Sequence, residues 1–257
     1  MQARLLPFLL LLPVLAACDT SPIDWKDPVV LARPNTPVRL VVDTSGRVRY
    51  VADSSRVTLP TGVACARSLE TAPAATRTFA AWWAARKDSS VNLFVAWSTD
   101  SGKTWTPPMS VDTSDVSSTG CNRPPPALTT VGDDVYVAYS MIASEGTGVF
   151  FAHTMGSMLH SPVAVIYGER LVLTAIAAHG DSVAVAYEEP NGSRQQVDVA
   201  LSTTQGHIFE IHTVASRDVD VAAAPSVALD GRTIAVGWTE KRDGQSIGAV
   251  VRVGKLR

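Results

Sequence analysis

The 257-residue chain reads as all-β: a β-propeller, a ring of four-stranded antiparallel blades closed by a strand from its N-terminal end. Three observations point there. A short apolar strand ending in an aromatic recurs as Phe79-Ala80-Ala81-Trp82-Trp83, Val135-Tyr136-Val137-Ala138-Tyr139, Val183-Ala184-Val185-Ala186-Tyr187 and Ile234-Ala235-Val236-Gly237-Trp238. The final aromatics stand 56, 48 and 51 residues apart, a repeat long enough for four short strands each time. The last three runs follow Gly132-Asp133-Asp134, His179-Gly180-Asp181 and Asp230-Gly231-Arg232, glycine–aspartate turns with hairpin chemistry. The third strand of a unit then runs into another turn, complete in Ser98-Thr99-Asp100-Ser101-Gly102-Lys103-Thr104-Trp105. Weaker copies follow at the same phase, His153-Thr154-Met155-Gly156-Ser157-Met158-Leu159 and Ser202-Thr203-Thr204-Gln205-Gly206-His207-Ile208-Phe209.

Residues 1–17 have the form of an export signal: Arg4, then an apolar run over 5–15 interrupted by Pro7 and Pro13. The run is too short for a membrane span. Leu15-Ala16-Ala17-Cys18 reads as a lipobox, with Cys18 as the lipidated first mature residue; an ordinary secretory signal is the alternative. Several acyl chains hold a protein stably on a membrane. The expected location is therefore the bacterial cell envelope, facing the periplasm or the exterior. Residues 18–24 form the lipidated tether and 25–257 a single propeller domain.

Trp25-Lys26-Asp27-Pro28-Val29-Val30-Leu31 matches Trp105-Thr106-Pro107-Pro108-Met109-Ser110-Val111, with Trp and Pro three apart in both, and Leu159 and Pro162 repeat the spacing. It reads as the fourth strand of a blade, and the unit at 218–257 ends one strand short. Residues 29–32 are expected to pair beside 247–253 and close the ring. A disordered tether over 19–34 is the other reading. Residues 38–59 carry a hairpin around Thr44-Ser45-Gly46, a reduced blade, and 63–115, 120–168 and 170–216 are full units. Five blades are expected, four being the alternative.

The turn at Ser98, Asp100, Gly102, Thr104 and Trp105 resembles the Asp-box, the bacterial-neuraminidase repeat of sialidase-like β-propellers. Its residue types suit the geometry. Serine and aspartate bond the backbone of a tight turn, Gly102 takes a positive φ, and Trp105 offers a large apolar surface. The resemblance implies a structural motif lying away from any active site. It also implies, for a sialidase, six full blades on a longer chain. There, arginines clamp a carboxylate, one of them preceding an Ile-Pro, beside an aspartate acid/base and a glutamate-activated tyrosine nucleophile. Arg123-Pro124-Pro125-Pro126 resembles the arginine element but lacks the isoleucine. No position matches the acid/base or the nucleophile. Tyr187 precedes Glu188 and Glu189 but falls on the core position shared by Trp83, Tyr139 and Trp238.

A net charge of −2 offers nucleic acid no basic face. Loops leading into each first strand and leaving each second strand open on one face of a propeller. There they place Arg67, Arg123, Arg170, Arg217, Glu189 and Glu240, the candidate ligand-binding residues. A guanidinium fork suits a carboxylate. Cys65-Ala66-Arg67 and Cys121-Asn122-Arg123 share a local pattern. In an oxidising compartment Cys65 and Cys121 are disulfide candidates, two buried thiols being the alternative. His153, His160, His179, His207 and His212 show no metal-ligand spacing, so no metal or cofactor is expected. Two functions fit. The expected one is a membrane-anchored module binding a glycan or protein through its arginine-bearing face; the alternative is a divergent sialidase-like glycoside hydrolase.

Overall fold

The computed structural model describes residues 21–32, 39–42, 48–51, 65–156, 158–192, 195–216 and 219–257. The expected signal and Cys18 lie outside them, as do Arg217 and the Thr44-Ser45-Gly46 turn.

In chain order, β1 (Ile23–Trp25) and β2 (Val29–Ala32) come first, followed by the hairpin β3 (Arg39–Val42) and β4 (Val48–Val51). One sheet is built from β5 (Glu70–Pro73), β6 (Thr78–Ala85), β7 (Val91–Ser98) and β8 (Met109–Asp112). A second holds β9 (Ala127–Val131), β10 (Asp134–Ala143) and β11 (Gly146–Met155), with β12 (Met158–Leu159) and β13 (Val163–Tyr167) sharing the far edge of β11. A third holds β14 (Thr174–His179), β15 (Ser182–Glu188), β16 (Val197–Ser202) and β17 (Ile211–Val214). The last holds β18 (Val221–Asp230), β19 (Thr233–Arg242) and β20 (Gln245–Leu256), with β1 and β2 both on β20. Every one of these strand pairs is antiparallel, as successive hairpins dictate.

The fold is the expected β-propeller. The first strands β5, β9, β14 and β18 neighbour one another in that order, and β3 lies beside β18. They surround a channel of about 400 Å³ lined by Glu70, Thr129, Thr174, Ser226 and otherwise largely alanine and proline. Small side chains on the innermost strands are what leave this space open.

Apolar cores fill the gaps between sheets. Trp83 and Tyr139 share one core between the first and second complete sheets, meeting edge-on at 5.8 Å. Tyr187 sits in the next core and Trp238 in the one after. All four are no more than 1 % exposed. The recurring aromatic is thus the plug of each inter-blade seam, and trimming such a side chain to alanine costs about 3–5 kcal/mol.

The N-terminal strand completes the last sheet as expected, with Val29 opposite Val251, Val30 opposite Val250 and Ala32 opposite Ala249. Just ahead of it, Ile23 pairs with Leu256 and Trp25 with Gly254. One backbone bond repeats in three sheets and fixes the phase of the repeat. Thr106 N–H donates to the Trp97 carbonyl at 2.9 Å, His160 to His153 at 2.9 Å and Lys26 to Val253 at 2.8 Å. The preceding residues Trp105, Leu159 and Trp25 are therefore equivalent positions. Arg252 locks the seal, its Nε donating to the Lys26 carbonyl at 3.0 Å and its guanidinium stacking on Trp25 at 5.1 Å.

The Ser98–Trp105 turn is held from within. Ser98 Oγ accepts the Gly102 N–H at 2.8 Å and donates to Asp100 Oδ1 at 2.7 Å. Asp100 accepts the Thr104 N–H at 2.8 Å and the Thr104 hydroxyl at 2.6 Å. Those Thr104 bonds first, then Ser98, hold the Asp100 carboxyl well below the usual carboxylate range. The copy at Ser202 repeats the frame: Ser202 Oγ accepts from Gly206 N–H at 3.0 Å. Gly102 and Gly206 have φ of 85° and 88°, the left-handed conformation that glycine adopts freely.

Candidate functional site

On the face opposite these turns, several of the expected charges are engaged within the protein. Arg123 is the clearest case. Its guanidinium meets Asp115 through two bonds of 3.1 Å, with both side chains fully buried. It also donates to Gly120 O, Ser117 Oγ and Thr119 Oγ1 and covers the Trp83 ring at 5.2 Å. Asp115 in turn accepts the Val91 N–H at 2.8 Å. This corrects the expectation of a ligand-binding Arg123: a carboxylate already fills the fork, and the group pins the loop between two sheets. Beside it Cys65 and Cys121 are joined in a disulfide.

Glu240 is corrected for the same reason. It is 2 % exposed, accepts Trp238 Nε1–H at 2.9 Å and pairs with Arg242. Tyr139 donates to Asp112 at 2.6 Å; burial, then the Asp112 charge, pushes its hydroxyl well above the usual range. Arg67 is exposed on the short 3-10 turn Ala66–Ser68. Arg170 donates Nε and Nη2 to the Glu189 carbonyl at 3.2 and 2.6 Å.

Open space also lies beside the channel. A pocket of about 110 Å³ is lined by Arg170, Leu171, Val172, Glu188, Gln195, Ala222 and Ala223. Its wall is a β-bulge in β18, where pairing with β19 shifts between Ala223 and Ser226. Ala224 there has φ 53°, unusual for a side-chain-bearing residue, and its N–H donates to Glu188 Oε1 at 2.9 Å. Bulges commonly re-aim a strand beside a site. Here the bulge brings Ser226 to the channel and Ala223 to the pocket.

One carboxyl pair sits close by. Asp198 is 7 % exposed; burial first, then a hydrogen bond shared with Glu189 in which Asp198 keeps the proton, raises its pKa to about 7. Gln196 Nε2 donates to Asp198 at 3.1 Å. Tyr187 stands opposite Asp198 across the sheet, with its hydroxyl 3.2 Å from His212 Nδ1. Burial, then the Asp198 charge, raises the Tyr187 hydroxyl above its usual range, the reverse of what a tyrosine nucleophile needs.

Sequence reasoning missed Asp112, Asp115 and Asp198. Asp112 ends the fourth strand and Asp115 follows it, and in an antiparallel blade that exit opens on the same face as the loops that were counted. Asp112 carried a local signal: its Oδ1 accepts the Ser114 N–H and hydroxyl at 2.8 and 2.7 Å, an aspartate–serine turn readable from spacing two. His153, His160 and His207 converge on the opposite face, their ring nitrogens within 4.8 Å of one another.

No family model matches the chain, and no curated protein matches it. Solved structures do, among them sialidases and proteins of glycoside hydrolase families 43 and 32. It is similar to Trypanosoma rangeli sialidase at 12% identity, covering 84% of this chain and 39% of that one, with a TM-score of 0.49. A xylan β-1,4-xylosidase from Bacillus halodurans gives 8% identity, 85% and 52% coverage and a TM-score of 0.44. The Bacillus subtilis arabinanase Arb43A gives 12%, 72% and 71%, and 0.43. The chain spans only 37% of a Bacteroides ovatus family 43 protein and 40% of a Bombyx mori β-fructofuranosidase that it also matches.

Proposed function

We propose that the chain is a lipid-anchored, extracytoplasmic propeller of the Asp-box type that binds a glycan at its channel mouth and does not cleave it. A protein ligand at the same face is the competing outcome. The observation that carries this reading is the internal pairing of the charged groups: Arg123 with Asp115, and Glu240 with Trp238 and Arg242. A sialidase-like site needs arginines and carboxylates turned toward substrate. Here the channel and adjoining pocket offer Thr129, Thr174, Gln195 and Glu188, hydroxyl, amide and carboxylate groups suited to a hydroxyl-rich ligand. Arg170 is the arginine that lines this pocket.

A hydrolase reading draws on one feature, the Asp198–Glu189 pair, which keeps a carboxylic acid protonated near neutrality as a general acid requires. Incubating the full chain with a fluorogenic sialoside, alongside a glycan-array screen, separates the two. Binding without turnover is the expected result, and turnover abolished by Asp198→Asn would replace it with the hydrolase. Binding to proteins alone would move the ligand class. Anchoring has its own check: labelled palmitate is incorporated by the wild type and lost in Cys18→Ser.

A further inference from the structure

We propose that His153, His160 and His207 form a divalent transition-metal site on the turn face, bridging the second and third complete sheets. Their ring nitrogens lie within 4.8 Å of one another. The rings of His153 and His160 stack at 4.8 Å, and His207 meets both edge-on at 5.0 and 5.5 Å.

An independent observation points to a ligand. His153 is 2 % exposed, and its Nε2 is buried with no hydrogen-bond partner among the described residues. A buried polar atom without a partner is costly; a coordinated cation would offset that. The ring packs against Tyr136 at 5.5 Å and Phe151 at 5.4 Å, which also touch each other at 6.1 Å. It therefore acts as the fixed member.

The other two can close on it. His160 is half-buried and held by its N–H bond to the His153 carbonyl. His207 is exposed, on the Ser202 turn, whose Gly206 packs against Phe151. Metal–imidazole bonds of about 2.0–2.1 Å require the nitrogens to approach to about 3.3 Å, a side-chain rotation for two accessible rings. Asp134, which accepts from Thr154 and Gly156, adds negative charge that favours a cation. Three neutral imidazoles suit Zn²⁺, Cu²⁺ or Ni²⁺, whereas Ca²⁺ and Mg²⁺ want oxygen ligands. The solvent side leaves a fourth position for water.

The test uses the full chain without a histidine tag, stripped by chelator and titrated with Zn²⁺ at pH 7.5 by calorimetry, with Cu²⁺ followed by electron paramagnetic resonance. One bound equivalent is expected, with imidazole nitrogen coupling in the Cu²⁺ spectrum and a melting temperature that rises with added Zn²⁺. His160→Ala and His207→Ala should each weaken Zn²⁺ binding at least tenfold while the metal-free proteins melt as the wild type does. Substoichiometric binding, or unchanged affinity in His207→Ala, overturns the site.

Discussion

Arg123 shows how one residue's role is decided by its partner. Its type and position suggested a ligand clamp, but Asp115 fills the fork from a loop that opens on the same face. Arg123→Ala leaves a buried, uncompensated carboxylate, and such losses cost about 3–5 kcal/mol. Urea unfolding should show that loss, with glycan binding intact in whatever fraction stays folded. Asp198 gives a pH signature. Its pKa is raised to about 7 in the fold from an ordinary value near 3.8, so folding favours the protonated form. Its contribution is fully present below about pH 4 and is lost as pH rises to about 7. Asp198→Asn, which mimics the neutral acid, should melt close to wild type at pH 4 and higher than wild type at pH 8. An unchanged difference across that range would exclude the assignment.

At the scale of elements, strands and turns were legible and their neighbours were not. The aromatic runs, the glycine–aspartate turns and the Trp–Pro spacing located the four blades and the closing strand, because each signal is local and period-bound. What a turn touches is non-local. Gly206 was readable as a turn glycine, yet its added Cβ would lie 2.1 Å from Phe151 Cε1 on the neighbouring sheet. Gly206→Ala should therefore destabilise by about 1–3 kcal/mol through overpacking and φ strain together. Gly132→Ala, with φ 60° and nothing within 4 Å, should cost less; equal losses in thermal melts would remove Phe151 from the explanation. The histidine cluster was hidden for the same reason. Its members lie on a strand, a connecting loop and a turn of two sheets, with no spacing to betray them.

For the molecule as a whole, stability is concentrated where sheets are tied across the ring. Cys65 and Cys121 close a segment of 56 residues, which the chain-entropy account values at about 4 kcal/mol. Converting that figure at a few degrees per kcal/mol, a Cys65→Ser, Cys121→Ser double variant should melt about 10 °C lower. The wild type with reductant should match it. The other tie is the shared last sheet. Val30→Pro removes a donor from β2 opposite Val250 and should uncover the β20 edge, read as concentration-dependent association in sedimentation.

That shared sheet also sets an order of events during synthesis. β1 and β2 leave the ribosome before any other described strand, and β20, which they must meet, leaves after all of them. The first-made piece waits unpaired through the whole of translation, beside the growing apolar surfaces of three finished blades. Contacts this distant in sequence form slowly, so the late search for β20 is the step at which a holding chaperone would matter most, and the step a circular permutant starting at β3 would abolish.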